Sequence, residues 1–418
     1  MFKRGLALRG SPQSTWNKLR RLAPLCGVIF LCAMLAMALM TPVAYADDKS
    51  EKAKQPAAQV DLAPNASSAV LLDADTGTIL FEKNRNQKLP PASITKIMTM
   101  LLIMEALDQG KIRLDEKVRT SEYAASMGGS QIFLEPGEEL TVDEMLKGIA
   151  MASGNDASVA MAEKIGGTEE AFVGMMNDKA KQLGMANTHF VNVNGLPAEN
   201  HYTTSYDIAL MSRELLKHEE ITKYTGQYQD YLRKDSEKPF WLVNTNKLVR
   251  FYSGADGLKT GYTSEAKFCL SATAKRDNFR IVAVVLGEPN TKTRNAEVTK
   301  MFDYAFSQYM SYPIFQTGDT IGNVRVEKGD QPSLELKATH PYSVLMKKGD
   351  NTADIRHELQ LSSDLKAPIA YGQSLGKLVV YRGDQVISEF ELSSPVEMQK
   401  AGWWKLLKRT TKHLFLVD

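Results

Sequence analysis

Ser93 and Lys96 stand three positions apart in residues 90–105, a stretch whose faces are otherwise apolar or small. That spacing puts both side chains on one face of a helix. Between Ala92 and Met104, Lys96 is the single ionisable group, and a lone ammonium in a buried helix is costly unless something uses it. Pro90 and Pro91 set Ser93 in or near the first turn, where free backbone N–H groups and the helix dipole favour negative charge. A desolvated lysine loses basicity, and its neutral amine can take the proton of a serine hydroxyl, a poor nucleophile on its own. A core serine beside a lysine that snorkels to the domain edge fits the same residues. This stretch alone leaves both readings open.

Two more short motifs follow in order, Ser153-Gly154-Asn155 and Lys259-Thr260-Gly261. Each is weak alone. Together they gain force from where the pattern puts them: the first at the start of a buried helix, the second on a loop between helices, the third on a strand. A helix start facing a strand edge can supply two fixed backbone donors to a tetrahedral oxyanion.

The elements that must hold these residues can be read around them. Residues 66–83 read as a hairpin, with apolar Val70, Leu71 and Leu72 before an Asp-Ala-Asp-Thr-Gly turn and Ile79, Leu80 and Phe81 after it. Thr141-Val142-Asp143-Glu144 is a capping box opening a helix through Met151, and Asp156 to Ile165 resumes helical spacing. Residues 170–183 and 206–217 are helical, flanking a turn-rich loop with Asn192, Asn194, Gly195 and Pro197. His201 and Asp207 read as loop and cap residues, and Asn155 could also serve as a cap for the helix that follows it. Residues 257–263, 268–274 and 279–286 form a meander, and 297–309 a closing helix. An early hairpin, a helical middle and a late meander fit an α+β domain whose first and last strands share one sheet. Beyond Pro313, short alternating runs between Gly/Asp/Pro turns describe a small all-β domain.

The chain of 418 residues carries 51 basic and 49 acidic side chains, a net of +2, which points to no nucleic-acid partner. Residues 1–46 have a basic start, an apolar run and Ala44-Tyr45-Ala46, the pattern of a signal peptide whose cleavage exports the rest. An uncleaved anchor is the alternative. Residues 47–65 are a polar linker, 66–311 the catalytic domain, 312–395 the β-rich domain and 396–418 an amphipathic helix. In that helix Val396, Trp403, Leu407 and Leu414 align opposite Lys405, Lys408, Arg409 and Lys412, as in a helix lying in a membrane surface. Cys26 and Cys32 fall in the apolar run, leaving Cys269 as the only thiol beyond it. No Cys/His spacing suggests a metal site, and no cofactor is expected.

The three motifs in this order are the signature of penicillin-binding proteins and class A β-lactamases. From about Ala66 to its C-terminus the chain resembles a low-molecular-weight penicillin-binding protein, a serine-type D-alanyl-D-alanine carboxypeptidase. The resemblance implies a β-lactamase-like catalytic domain, an antiparallel sheet with a helical subdomain, followed by the all-β domain and the amphipathic tail. It implies Ser93 as acylated nucleophile, Lys96 as its base and Ser153 as proton relay. Asn155 would bind the substrate amide, while Lys259, Thr260, Gly261 and Arg294 would hold its terminal carboxylate. The oxyanion hole would be the backbone N–H groups of Ser93 and Tyr262; many relatives have His at the latter position, a change a backbone donor tolerates. The implied substrate is a peptidoglycan stem peptide ending in D-Ala-D-Ala, with β-lactams as covalent inhibitors, and the implied location the outer face of the cytoplasmic membrane.

Two other readings compete. A class A β-lactamase deacylates with a glutamate-bound water, and no Glu-x-x-Leu-Asn stretch lies between the second and third motifs. A non-catalytic penicillin-binding scaffold would have no use for an intact Ser/Lys pair.

Overall fold

The computed structural model describes residues 60–363 and 365–415. The signal-peptide reading and most of the linker reading lie outside them. Within the described chain, β1 (Ser68–Asp73) and β2 (Ile79–Lys83) form the expected hairpin. A 3-10 turn, Ala92–Thr95, leads into α1 (Lys96–Asp108). The helical region continues with α2 (Val142–Lys147), a π-helical turn Gly148–Ala152, α3 (Asn155–Gly166), α4 (Glu169–Gln182) and α5 (Ser205–Leu216). A small hairpin of β3 (Gln229–Leu232) and β4 (Phe240–Val243) precedes the meander β5 (Ala255–Thr263), β6 (Lys267–Arg276) and β7 (Phe279–Glu288). The domain closes with α6 (Thr291–Gln308).

The five-stranded sheet has the order β2-β1-β7-β6-β5, every pair antiparallel. First and last strands meet at its centre, Val70 opposite Val284, and β5 is left at an edge facing the helices. Both faces are covered. Val70, Leu72, Val282 and Val284 pack toward α1 and α5, whereas Ala69, Leu71, Ile281 and Val285 pack toward α6. Strands buried on both sides need apolar residues at successive positions, which is why 279–286 reads as a nearly unbroken apolar run. α1 is buried along most of its length, with Lys96 and every residue from Ile97 to Met104 buried.

The Thr141 capping box is present, its hydroxyl accepting from Glu144 N at 3.2 Å and the Glu144 carboxylate from Thr141 N at 3.0 Å. Three expected boundaries differ. α6 starts at Thr291, six residues before Glu297, because Asn290 caps it by accepting from Thr293 N at 2.8 Å. Leu62 and Ala63, placed in the linker by composition, are buried against the α6 side of the sheet, and Asn65 donates to Glu297 at 2.6 Å. Such a short docked segment has no periodicity to betray it.

Strands β8 (Tyr309–Phe315), β9 (Thr320–Arg325), β10 (Ser333–Lys337), β11 (Tyr342–Lys347), β12 (Ile355–Leu361), β13 (Ser374–Arg382) and β14 (Gln385–Ser393) build the all-β C-terminal domain around Leu336, Leu375 and Leu378. Pro313 sits inside β8, tolerated because that strand pairs with β11 alone. The terminal helix, α7 (Trp403–Phe415), begins seven residues later than the pattern suggests. Val396 is therefore not on its apolar stripe: Met398, two positions on, bridges Ile369 and is buried in the β-domain core. Leu414 and Lys412 lie where no side chain is described.

Candidate active site

The first turn of the buried helix meets the other two motifs at one place. Lys96 is fully buried, and its Nζ lies 3.2 Å from Ser93 Oγ. The same nitrogen donates to Asn155 Oδ1 and to the Asn194 carbonyl, both at 2.6 Å. Snorkelling to the surface is thereby ruled out. Burial holds the Lys96 pKa well below its ordinary value, and the nearby Lys259 charge lowers it further against an opposing pull from Asp156. Arg294, on α6, acts on Lys259, and it is the Lys259 charge that acts on Lys96.

Asn155 is the first residue of α3, and Gly154 takes the cap position, so Asn155 is not a mere cap. Its Nδ2 donates to the Gly128 carbonyl at 2.6 Å, which orients Oδ1 toward Lys96. Ser153 joins the π-helical turn to α3 in a left-handed conformation, φ +64°. Its hydroxyl is buried and has no hydrogen-bond partner among the described residues. A buried hydroxyl left unmatched forgoes about 1–3 kcal/mol, and such groups collect where chemistry needs them.

The third motif borders the nucleophile's turn. A Cβ on Gly261 would lie 3.1 Å from the Pro91 carbonyl and 3.2 Å from the Ala92 Cβ, so only glycine lets the edge strand approach this closely. Lys259 is buried and, among the described residues, has a single acceptor, the Thr260 carbonyl at 3.0 Å. Its pKa is lowered to about 7, chiefly by desolvation and then by the Arg294 charge. Arg294 is itself buried, with its guanidinium on Asn295 Oδ1 alone and its pKa lowered to about 10 by desolvation. Two under-paired buried cations mark a place built for an anion. Tyr262 turns its ring outward onto Phe268, centroids 4.5 Å apart, leaving only its backbone to serve the site.

The structure also brings in residues that sequence reasoning passed over. Asn194 acts through its carbonyl, which no side-chain pattern reveals. Gly195 and Asn194 are held by an Asx turn in which Asn192 Oδ1 accepts from both backbone N–H groups, at 2.7 and 3.3 Å. Thr245 accepts from Thr260 Oγ1 at 2.7 Å and donates its N–H to the Met151 carbonyl, tying the third motif to the second. His201 supports the turn from behind: Nδ1 accepts from Val191 N at 3.0 Å, so Nε2 carries the proton and donates to Thr95 Oγ1 at 2.9 Å. Burial lowers its pKa to about 4, and it stays neutral. Asp207 caps nothing; Thr204 is the cap, and Asp207 accepts from Asn187 N and Thr188 Oγ1.

A lysine buried with one acceptor destabilises the fold. Because its folded pKa is depressed, the unfolded chain binds the extra proton between about 7 and the ordinary lysine value, and stability rises with pH across that window. Lys259→Met is expected to raise stability by about 2 kcal/mol below pH 7, a gain that shrinks as pH rises toward 10. Urea melts at pH 6 and pH 10 measure it; a variant less stable at pH 6 would show that the lysine is better solvated than its burial implies.

Comparison with known proteins agrees with this geometry. Residues 51–290 match the family described as D-alanyl-D-alanine carboxypeptidase, and residues 309–400 match the penicillin-binding protein 5 C-terminal domain. The D-alanyl-D-alanine carboxypeptidase DacF of Bacillus subtilis is 58% identical over 350 residues, 84% of this chain and 90% of that protein. Penicillin-binding protein 5 from Haemophilus influenzae aligns with a TM-score of 0.63 at 31% identity, covering 80% of this chain and 98% of that one. Penicillin-binding protein 6B from Escherichia coli aligns with a TM-score of 0.61 at 28% identity, covering 80% and 99%. Neither a β-lactamase nor a non-catalytic scaffold is favoured by these likenesses. With a serine, a buried amine and a glycine-backed edge strand in one cleft, and with matches of this extent, the chain belongs to the D-alanyl-D-alanine carboxypeptidase family.

Proposed function

We propose that this chain removes the terminal D-alanine from peptidoglycan stem peptides ending in D-Ala-D-Ala, through an ester on Ser93. The observation that carries the reading is the environment of Lys96. A neutral amine has two hydrogens and one lone pair. Asn155 Oδ1 and the Asn194 carbonyl take the hydrogens, and the lone pair is left for the Ser93 hydroxyl. Ser93 Oγ attacks the penultimate alanine's carbonyl carbon as its proton passes to Lys96. The oxyanion is received by the Ser93 and Tyr262 N–H groups. Collapse breaks the peptide bond as the Ser153 hydroxyl gives its proton to the departing amine and takes the one held by Lys96. Water then attacks the ester carbonyl, its hydroxyl stays on the peptide as the new carboxyl group, and its other hydrogen returns to Ser93 Oγ. Asn155 engages the substrate amide, and Lys259, Thr260, Gly261 and Arg294 receive the terminal carboxylate. β-Lactams acylate the same serine.

The working chain starts after the signal of residues 1–46, with the catalytic domain from the docked segment at Leu62 to the end of α6 at Gln308, the β-rich domain from Tyr309 through Met398, and the tail after it. α7 supports peripheral attachment to the outer face of the cytoplasmic membrane. Arg409 donates to the Gly329 and Asp330 carbonyls, fixing one side of the helix, while Trp403 and Trp404 stand 66% and 69% exposed. Among the described residues no helix is long and apolar enough to cross a membrane. Deleting residues 403–418, which spares Met398 and the β-domain core, is expected to release active enzyme from membranes after signal cleavage; a truncated enzyme that still sediments with them would refute the attachment.

Mass spectrometry of a muropeptide ending in D-Ala-D-Ala, before and after incubation, tests the activity. Loss of one alanine is expected with the native enzyme and none with Ser93→Ala, which also takes no label from fluorescent penicillin. Release of alanine by Ser93→Ala would overturn the assignment.

A further inference from the structure

Residues 128–134 begin at the cleft and end on the surface. Gly128 O accepts from Asn155 Nδ2 at 2.6 Å, and Ser130 O accepts from Asn155 N at 2.7 Å. Three residues on, Phe133 adopts φ +56° and stands 65% exposed. A left-handed phenylalanine costs about 1–2 kcal/mol, and leaving its ring in water forgoes about 2 kcal/mol of burial. Both choices are unfavourable at one residue.

The conformation is nevertheless tightly enforced. Asp156, buried, accepts from Ile132 N at 3.0 Å and from Leu134 N at 3.1 Å, the two amides flanking Phe133. Arg233 donates to the Ile132 and Phe133 carbonyls at 3.1 and 3.2 Å and forks onto Glu138 at 2.5 and 2.9 Å. Arg233 is itself left-handed, φ +53°. On β4, Phe240 meets the Phe133 ring at 73° with centroids 5.7 Å apart, and the rest of the ring is open. Strain held in place this firmly beside a catalytic cleft points to use.

We propose that Phe133 is a stacking platform for the glycan part of the substrate, on which a sugar ring next to the bound stem peptide rests. This rests on the carboxypeptidase reading and extends it to the polymer. A peptide side chain is gripped by a concavity. A single rigid ring projecting from a polar, charged rim offers a flat apolar face, which suits a pyranose with its C–H face and rim of hydroxyls. Because the backbone that carries the ring is already fixed, less conformational freedom is lost on contact.

The test compares kcat/KM on uncross-linked glycan strands bearing the pentapeptide, on the free pentapeptide, and on an acetylated tripeptide ending in D-Ala-D-Ala. Phe133→Gly removes the ring while glycine accepts the backbone conformation, and penicillin acylation reports that the site is intact. The expected result is about a tenfold fall in the ratio of glycan-linked to free pentapeptide, carried by KM, with Phe133→Trp retaining the native ratio. An unchanged ratio, or equal loss on all three substrates, overturns the platform. A loss confined to the free pentapeptide relative to the tripeptide assigns the ring to the peptide and overturns the sugar contact. A native enzyme that processes none of the three sinks the carboxypeptidase reading itself, which separates the two failures.

Discussion

Lys96→Ala is expected to lower the rate of acylation by penicillin at least about a thousandfold, within the range a general base contributes. The fold should survive. The substitution leaves Asn155 Oδ1 and the Asn194 carbonyl without their donor, a cost of about 1–3 kcal/mol each, but it also removes the desolvation of a fully buried amine. The two changes oppose each other, so a large loss of rate with a small loss of stability is the signature to look for. Lys96→Arg should not rescue, because a guanidinium stays protonated and cannot accept the serine's proton. Stopped-flow acylation with a fluorescent penicillin, paired with a urea melt, measures both quantities. Labelling of Lys96→Ala at the native rate near neutral pH would mean that another group serves as base.

Gly195→Ala is expected to be nearly as damaging, though the residue carries no chemistry. Its φ is +86°, and a Cβ there would sit 1.8 Å from the Ala92 carbonyl oxygen and 2.9 Å from Ser93 N. The clash is with backbone, so no side-chain rotation relieves it. Either the Asn192–Gly195 turn moves, taking the Asn194 carbonyl from Lys96, or the turn carrying Ser93 moves. A displacement of about 1 Å at reacting groups costs on the order of a hundredfold in rate, and overpacking of this kind costs about 1–3 kcal/mol of stability. Gly110→Ala is the matched control, since its φ is +66° but nothing lies within 4 Å of the new methyl group. It should lose stability through backbone strain alone and keep its acylation rate. Equal acylation rates in the two variants would show that the loop does not position the nucleophile.

How much could be read in advance depends on what kind of contact was involved. Ser93 and Lys96 were legible because one charge in an otherwise apolar helix is anomalous in composition alone. The Thr141 capping box was legible because its partners lie three residues apart, and the shared sheet of β1 and β7 because fully covered strands are apolar at successive positions. Asn194 was not, since a backbone carbonyl has no residue-type signature and its partner is 98 positions away. Phe133 carries no signal in the sequence; its exposure is set by Asp156, which holds the amides on either side of it, and by Arg233, 100 positions away. Arg294 was singled out, but the cation it acts on, Lys259 rather than Lys96, depended on how α6 approaches the sheet. Helical periodicity ran α7 back to Val396 because that residue stands two turns before Trp403, although Met398 between them serves the β-domain core.

The protonation state of Lys96 is the most direct measurement. With ε-13C-labelled lysine, the Lys96 resonance can be assigned by difference against Lys96→Ala and followed with pH in the native enzyme. A titration midpoint well below that of the surface lysines, with neutral amine present near neutral pH, is expected. An ammonium that persists to pH 10 would contradict the role given to Lys96 in arming Ser93.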